Sequence, residues 1–264
     1  MSNELPHSPE RTWDTWRVIL LAFSLALINI FTQSMAYSVS NDIFLSVGLG
    51  GLSVMVMVRG TALRAGVAPT RLVFASRPDG RSIVLAALAA TAALIPTSLL
   101  AGISTTLRPP SESWLRFYNE QLPEGLVATL VACTAVVVLA PIAEEIVFRG
   151  LLLRACRRHW GIVPSAVLTG LLFGLSHGEP WALFGLIPLG ILLALITEAT
   201  GSIIPAIVAH SVHNAISFGI MLANGGLVMP EDGEQTPWLL LSGSLAALAC
   251  ILLLLLRRQP GQRP

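Results

Sequence analysis

The sequence has no lysine and few charges of either sign. All 16 basic residues are arginine, charged residues make up 12% of the 264 positions, and the formal net charge is +1. A chain so poor in basic charge lacks the electrostatic footprint of a nucleic-acid-binding protein, so we exclude nucleic acid as a partner. The three cysteines, Cys133, Cys156 and Cys250, lie in or beside apolar runs. They form no Cys-x-x-Cys pair, which excludes a disulfide framework and a cysteine metal site.

Long apolar stretches fill the rest of the chain, which is 54% hydrophobic with a mean hydropathy of +0.73. These values are typical of membrane proteins. A membrane-spanning helix needs about 20 apolar residues, and eight stretches qualify: 18–38, 42–58, 83–103, 125–155, 161–179, 181–198, 202–224 and 237–256. The sequence therefore predicts an all-α, polytopic membrane bundle of about eight transmembrane helices. We expect one transmembrane domain, 18–256, with an N-terminal tail, 1–17, and a C-terminal tail, 257–264.

The distribution of arginine predicts how the bundle is oriented. With the N-terminus inside, fourteen arginines fall on the cytosolic side, and only Arg108 and Arg116 fall outside. The positive-inside rule then predicts that both termini are cytosolic. We expect a multi-pass protein of a prokaryotic inner membrane, with the lipid bilayer as a partner. The sequence makes no prediction about the oligomeric state.

Three charges interrupt the apolar stretch "VVVLAPIAEEIVFRGLLL": Glu144, Glu145 and Arg149. If the helix ends near Ala143, they are ordinary juxtamembrane residues. If it continues to Arg154, they lie within the membrane, where each costs roughly 2.5–3.5 kcal/mol and is usually functional. Glu145 and Arg149 are i, i+4 on one helical face and can neutralise each other. Glu144 lies about 100° away around the helix, so it is the carboxylate left for chemistry.

Two other apolar stretches contain polar residues at helical spacing. "FGLSH" places Phe173 four residues before His177, and "HSVHN" places His210 four residues before Asn214. A single histidine in a helix bundle is more often a hydrogen-bonded core residue than a catalytic one. Such residues on three separate stretches, in a chain with five histidines, argue against coincidence. His213 is an additional histidine to which we assign no role.

These residues form three motifs that occur in a fixed order. The motifs are Glu144-Glu145-x-x-x-Arg149, Phe173-x-x-x-His177 and His210-x-x-x-Asn214. Together they resemble the motifs of the CAAX prenyl protease and bacteriocin-processing family of intramembrane proteases, which includes type II CAAX endopeptidases. The resemblance covers about residues 123–220, the expected catalytic core. It implies a helical bundle enclosing a polar cavity in which a peptide bond is hydrolysed.

The resemblance also suggests roles for the motif residues. Glu144, with His177, is expected to hold and deprotonate the water that attacks the scissile carbonyl. His210 and Asn214 are expected to donate hydrogen bonds to the developing oxyanion. The supporting residues are then Glu145, Arg149 and Phe173.

A metal ion is one open question in this interpretation. Members of the family are commonly labelled metalloproteases, yet the chain has no His-Glu-x-x-His motif. Glu144, His177 and His210 can bind zinc while leaving an open position, as catalytic zinc sites do. A metal-free, glutamate-dependent mechanism is chemically as reasonable, and it is the one we prefer.

The substrate and the competing functions are also open. A membrane-associated protein, a leader peptide and a prenylated protein all remain candidate substrates. Arg154, Arg157 and Arg158 favour a cavity that opens to the cytosol, where they would attract acidic segments. A proton-coupled transporter would also bury such charges, but the sequence shows no inverted repeat. A non-catalytic immunity or scaffold protein is the second alternative, because one fold hosts many functions.

Overall fold

The regular structure consists of helices throughout the part of the chain that the computed structural model describes, residues 14–227 and 238–256. Its helices are α1 (Thr15–Ser40), α2 (Ile43–Arg64), α3 (Pro69–Leu72), α4 (Gly80–Leu107), α5 (Glu112–Glu120), α6 (Gly125–Arg157), α7 (Ile162–Ser176), α8 (Leu183–Thr200), α9 (Ile203–Ala223) and α10 (Trp238–Leu256). The predicted tail 257–264 and residues 1–13 of the other predicted tail lie outside the described residues. The predicted all-α membrane bundle is confirmed.

Within the described residues, seven helices are long and apolar enough to cross a membrane: α1, α2, α4, α6, α8, α9 and α10. The stretch 161–179, predicted as an eighth span, forms the shorter helix α7 of 15 residues. At 1.5 Å per residue α7 is about 22 Å long, less than the roughly 30 Å of a hydrocarbon core. It ends at His177 because Gly178 turns the chain with a left-handed φ of 67°. Seven spans and one shorter apolar helix make an integral membrane protein.

Aspartate and serine side chains begin several helices by accepting hydrogen bonds from the first free backbone N–H groups. Asp42 caps α2, Asp79 caps α4, Ser111 caps α5 and Ser202 caps α9. Asp42, Asp79 and Ser202 each stand directly before a membrane-spanning helix, so these polar caps mark where those three spans begin.

Helix α6 carries the first motif and changes its hydrogen-bond register twice. It is π-helical over Thr134–Leu139 and again over Ile146–Leu153, on either side of the α-helical turn Ala140–Glu145. The first change involves Pro141, which has no N–H to donate to Val136 O, the next carbonyl in the π register. The helix nevertheless continues to Arg157. The three charges therefore lie inside the span, and the alternative that it ends at Ala143 is wrong.

Glycines bring α7 and α8 unusually close together. A Cβ atom added to Gly190 would lie 2.8 Å from Cα of Gly170 and 3.1 Å from Cδ1 of Phe173. Such a contact is possible only between residues without side chains, so the two backbones touch at this point. The contact brings the carbonyl group of Gly190 to the inner face of α6.

Candidate active site

Arg149 and Glu145 form the ion pair that their spacing predicts. Nη1 of Arg149 donates to Oε1 of Glu145 at 2.8 Å, and both side chains have no exposed surface. The other terminal nitrogen, Nη2, donates to the carbonyl oxygen of Gly190 at 2.7 Å. A guanidinium group suits this place because its fixed fork serves two acceptors at once. The pair therefore ties α6 to α8 while each charge neutralises the other.

Glu145 has a second partner that the motif spacing does not indicate. Its Oε1 atom lies 3.0 Å from Nδ1 of His210, across the interface between α6 and α9. A carboxylate only accepts hydrogen bonds, so the proton of this contact belongs to Nδ1. Nε2 of His210 therefore faces away from Glu145, and it lies 3.8 Å from Oε2 of Glu144.

His177 is oriented in the same way by a backbone group. Its Nδ1 atom lies 2.8 Å from the carbonyl oxygen of Phe173, one turn earlier in α7. A carbonyl oxygen also only accepts, so Nδ1 carries the proton and Nε2 is turned toward the site. Nε2 of His177 lies 3.9 Å from Oε2 of Glu144.

The ring of Phe173 contacts both histidines and Arg149. It is fully buried and packs edge-on against both histidines, with centroid distances of 4.8 Å to His177 and 5.5 Å to His210. The guanidinium carbon of Arg149 lies 4.7 Å from the same ring centroid. An aromatic face attracts a cation, so this contact further stabilises the buried charge. Phe173 thus contacts one residue from each of the three motifs.

Glu144 remains without a direct partner. Its Oε2 atom is buried and accepts no hydrogen bond from the described residues. Oε2 of Glu145 is also unpartnered, but Oε1 of that residue accepts two hydrogen bonds. The side chains of Glu144 and His177 are each 26% exposed. Two imidazole nitrogens and one carboxylate oxygen therefore face one another beside side chains that are partly exposed.

Asn214 makes a contact that the predicted oxyanion role does not include. Its side-chain nitrogen donates to the carbonyl oxygen of Val136 at 3.0 Å, the carbonyl that Pro141 leaves without a backbone donor in α6. The amide group has two N–H donors, so this contact engages one of them. The role of the second in oxyanion stabilisation stays a prediction.

The separations in the Glu–His cluster bear on the predicted zinc ligands Glu144, His177 and His210. Within the described ranges, no three His, Cys, Asp or Glu side chains form a group that could hold a metal ion. The atoms facing each other are 3.8 and 3.9 Å apart, whereas two ligands of one tetrahedral zinc lie about 3.3 Å apart. As arranged, the cluster does not fit the metal, so the steps below are written for the side chains alone.

Two structural contacts near the site could not be read from the motifs. The Gly190 carbonyl belongs to the backbone, and only the small residues at Gly170, Gly174 and Gly190 indicate close packing there. The second is His213, whose Nε2 atom lies 3.3 Å from the hydroxyl of Thr97 on α4. This contact anchors the helix face next to His210.

A separate apolar groove of about 370 Å³ lies between the first π-helical turn of α6 and α9. None of the Glu–His cluster lines it. Its walls are Cys133, Thr134, Val137, Val138, Ala215, Phe218, Gly219 and Leu222.

Fold and site define an integral membrane protein with a buried glutamate–histidine cluster. Residues 126–216 match the family model of the Rce1-like type II CAAX prenyl endopeptidases, a segment that contains all three motifs. The resemblance to this family of proteases, predicted from the motifs, is confirmed over this segment. The match supports protease activity and does not favour a transporter or a scaffold. Comparison with curated proteins and with solved structures finds no significant match.

Proposed function

We propose that the protein is an intramembrane endopeptidase in which Glu144 activates the attacking water. One observation carries the proposal: the buried, unpartnered Oε2 atom of Glu144 faces Nε2 of both His177 and His210. Each histidine is held by its other nitrogen, so neither Nε2 atom is used for support. A water molecule among these three atoms would have a base on one side and imidazole groups on the others.

The charges of the cluster suggest its protonation state. Arg149 and Glu145 cancel within a fully buried pair. Glu144 then contributes one negative charge. The cluster as a whole is neutral if His210 carries a positive charge as an imidazolium. Its Nδ1–H lies on Glu145, so Nε2–H is free to donate to the substrate. A neutral cluster is the cheaper one to hold away from water.

The reaction then proceeds in two steps. Glu144 takes a proton from water as the water oxygen bonds to the scissile carbonyl carbon, while Nε2 of His177 accepts the water's second hydrogen bond. The carbonyl oxygen becomes an oxyanion, which accepts from His210 Nε2–H and from the second N–H of Asn214. The carbon–nitrogen bond then breaks, and the leaving amine takes the proton from Glu144. The products are a carboxylic acid and an amine, and the enzyme returns to its starting state.

The surroundings of the cluster support a protease over a proton-coupled transporter. Arg149, Glu145 and His210 are joined by short contacts, and this arrangement favours a rigid site. We propose that the substrate is a membrane-associated protein, a leader peptide or a prenylated protein. We also propose the orientation predicted from the arginines, with cytosolic termini in a prokaryotic inner membrane.

Matched cells that express wild type or Glu144→Gln test the proposal. We expect new peptide termini in membrane and secreted proteins from wild type alone, because an amide cannot take the proton of the attacking water. Asp14→Asn, at an exposed carboxylate that caps α1 at the end of the bundle opposite α5, is the control and should match wild type, because Asn caps a helix as well as Asp does. Identical termini in all three cell lines, with each variant inserted at equal levels, would refute protease activity for this chain.

A further inference from the structure

The two ends of the bundle differ in the segments that lie across them and in the charges of those segments. We call the end where α4 stops and α6 begins the α5 end, because α5 lies there. The opposite end, which contains Arg154 and the connection between α2 and α4, is the Arg-rich end. Glu144 lies between them, 19 residues after Gly125 and 13 before Arg157, so either end can be the entrance to the site.

The connection between α2 and α4, residues 65–79, is fastened to two helices at the Arg-rich end. Val73 is buried and packs on α6 so closely that a Cβ atom on Gly150 would lie 3.0 Å from its carbonyl oxygen. The backbone N–H of Ile203 donates to Phe74 O at 3.1 Å, and the hydroxyl of Ser202 donates to Ser76 O at 2.7 Å. This segment thus binds both α6 and the start of α9 and lies across the Arg-rich end.

The arginines at this end contact the protein itself. The guanidinium carbon of Arg154 lies 3.2 Å from the ring centroid of Phe74. Arg157 pairs with Glu198 at 2.9 Å and also donates to Trp160 O at 2.8 Å. These contacts give both side chains structural roles. The expectation that they draw acidic segments toward a cytosolic opening therefore has no support from their geometry.

The exposed groups of the site face the α5 end. In a helix the Cα–Cβ bonds tilt toward the N-terminus, which for Glu144 is the direction of Gly125 and the α5 end. His177 is the C-cap of α7, directly before the chain turns at Gly178. Both side chains are 26% exposed, whereas Glu145 and Arg149, nearer the Arg-rich end along α6, are fully buried.

The loop after His177 forms the rim on this side. It is fastened to α4 by hydrogen bonds from Ser104 to Pro180 O at 2.7 Å and from Thr105 to Trp181 O at 2.9 Å. The ring of Trp181 lies 4.5 Å from that of Trp114 on α5. The loop and α5 are therefore fixed to the same side of the site.

Two titratable groups at this rim interact electrostatically. Burial and the nearby charge of Glu179 raise the pKa of Tyr118 to about 12. Burial also raises the pKa of Glu179, and the nearby His177 lowers it in part. Glu179 thus lies close enough to interact electrostatically with Tyr118 on α5 and with His177.

The α5 end is also acidic. The connections at this end that the structure describes contain five carboxylates and two arginines. They are Asp42, Glu112, Glu120, Glu124 and Glu179, against Arg108 and Arg116. An acidic, aromatic rim favours cationic groups over anionic ones.

We propose that the site opens toward the α5 end, past Glu179, Tyr118 and Trp181, and takes neutral or basic peptide segments presented at that membrane face. The choice of a peptide rests on the proposed function, whereas the position of the entrance does not. In the orientation predicted from the arginines, this face is extracytoplasmic. The substrate would then be an exported or membrane-anchored peptide cut on that side of the membrane.

Thiol labelling in sealed vesicles tests the entrance without requiring activity. Glu144→Cys is made in a chain whose three native cysteines are replaced, and small, membrane-impermeant thiol reagents are added to right-side-out or inverted vesicles. Ser113→Cys on α5 and His159→Cys at the Arg-rich end report the two faces. His177→Cys is a second probe of the site if Glu144→Cys does not accumulate.

We expect the site cysteine to react from the same face as Ser113→Cys. A cationic reagent should react faster than an anionic one, and Glu179→Gln should lower that ratio by about threefold. Reaction only from the face of His159→Cys would overturn the proposal. So would reaction from neither face while both surface controls react, because an entrance for a peptide must admit a small reagent. Failure of protease activity would show instead in the Glu144→Gln comparison of peptide termini.

Discussion

Glu144 and Glu145 are adjacent in the chain, yet their surroundings are opposite. Glu145 is fully buried and joined to Arg149 and His210, whereas Glu144 is partly exposed and faces two imidazole nitrogens without touching them. A helical step of about 100° separates the two carboxylates. The comparison shows how one helix can present a paired, buried charge and an unpaired, partly exposed charge at the same depth. It also predicts that substitutions on the two sides affect different quantities.

The largest loss of stability is expected on the structural side. Arg149→Met removes both fixed hydrogen bonds and leaves Glu145 as a buried charge without its cation. We expect the free energy of unfolding to fall by about 3–5 kcal/mol, measured by thermal unfolding in detergent micelles. Arg116→Met breaks an i, i+4 pair of the same kind, with Glu112 at 3.4 Å on an exposed surface. It should change stability by less than about 1 kcal/mol, and equal losses would refute the comparison.

Asn214 has both a structural contact and a proposed catalytic role, so its substitution should affect stability and cleavage rate together. Asn214→Ala leaves the Val136 carbonyl without its donor and removes the proposed oxyanion donor. We expect the cleavage rate to fall by about 10²–10³-fold and stability by about 1 kcal/mol. A loss of stability with less than a tenfold loss of rate would show that Asn214 only supports α6. Rates are compared at equal amounts of folded protein.

A substitution away from Glu144 and the two histidines can weaken the close contact between α7 and α8. Gly190→Ala adds a methyl group 2.8 Å from Cα of Gly170, which should separate the helices and lengthen the bond from Arg149 to the Gly190 carbonyl. We expect about 1–3 kcal/mol of destabilisation. Gly243→Ala on α10, where no atom lies within 4 Å of the new methyl group, should be neutral or slightly stabilising. If both variants melt at the wild-type temperature, the contact does not constrain the site.

The smallest expected effect concerns Glu179 at the α5 end. Burial raises its pKa above the ordinary 4.5, so the folded protein holds this proton more tightly than the unfolded chain. The stabilisation is fully present below pH 4.5 and is lost as the pH rises through the raised pKa. Glu179→Gln should therefore melt above wild type at neutral pH, with the difference disappearing toward pH 4.5. Glu120→Gln on α5 is the exposed control, and parallel pH curves for all three proteins would contradict this assignment.

Much of the fold and part of the site could be predicted from residue patterns. Hydropathy located the helices, because burial in lipid requires long apolar stretches. The i, i+4 spacing predicted the bond between Glu145 and Arg149, because two such residues on a helix must face the same way. The motifs also named Glu144, His177 and His210, which the structure brings within 4 Å of one another through Glu144.

The remaining features depend on three-dimensional contacts that no local pattern encodes. The π-helical turns are shifts of hydrogen-bond register, to which hydropathy is insensitive. The bond from Glu145 to His210 joins residues 65 positions apart and depends on how α6 and α9 cross. The length of α7 was overestimated because hydropathy does not register the turn at Gly178, whose left-handed φ of 67° ends the helix. Every residue has a backbone carbonyl, so the sequence does not indicate that the carbonyl of Gly190 accepts from Arg149. That contact depends on how the helices pack.

Comparing Glu144→Gln with Glu145→Gln tests the central claim most directly. Both variants are purified in the same lipid nanodiscs, and cleavage of a substrate identified from the peptide termini is measured together with the melting temperature. We predict that Glu144→Gln melts close to wild type but cleaves at least about a hundredfold more slowly. Glu145→Gln should melt well below wild type. Cleavage by folded Glu144→Gln at the wild-type rate would contradict the assignment of this carboxylate as the base.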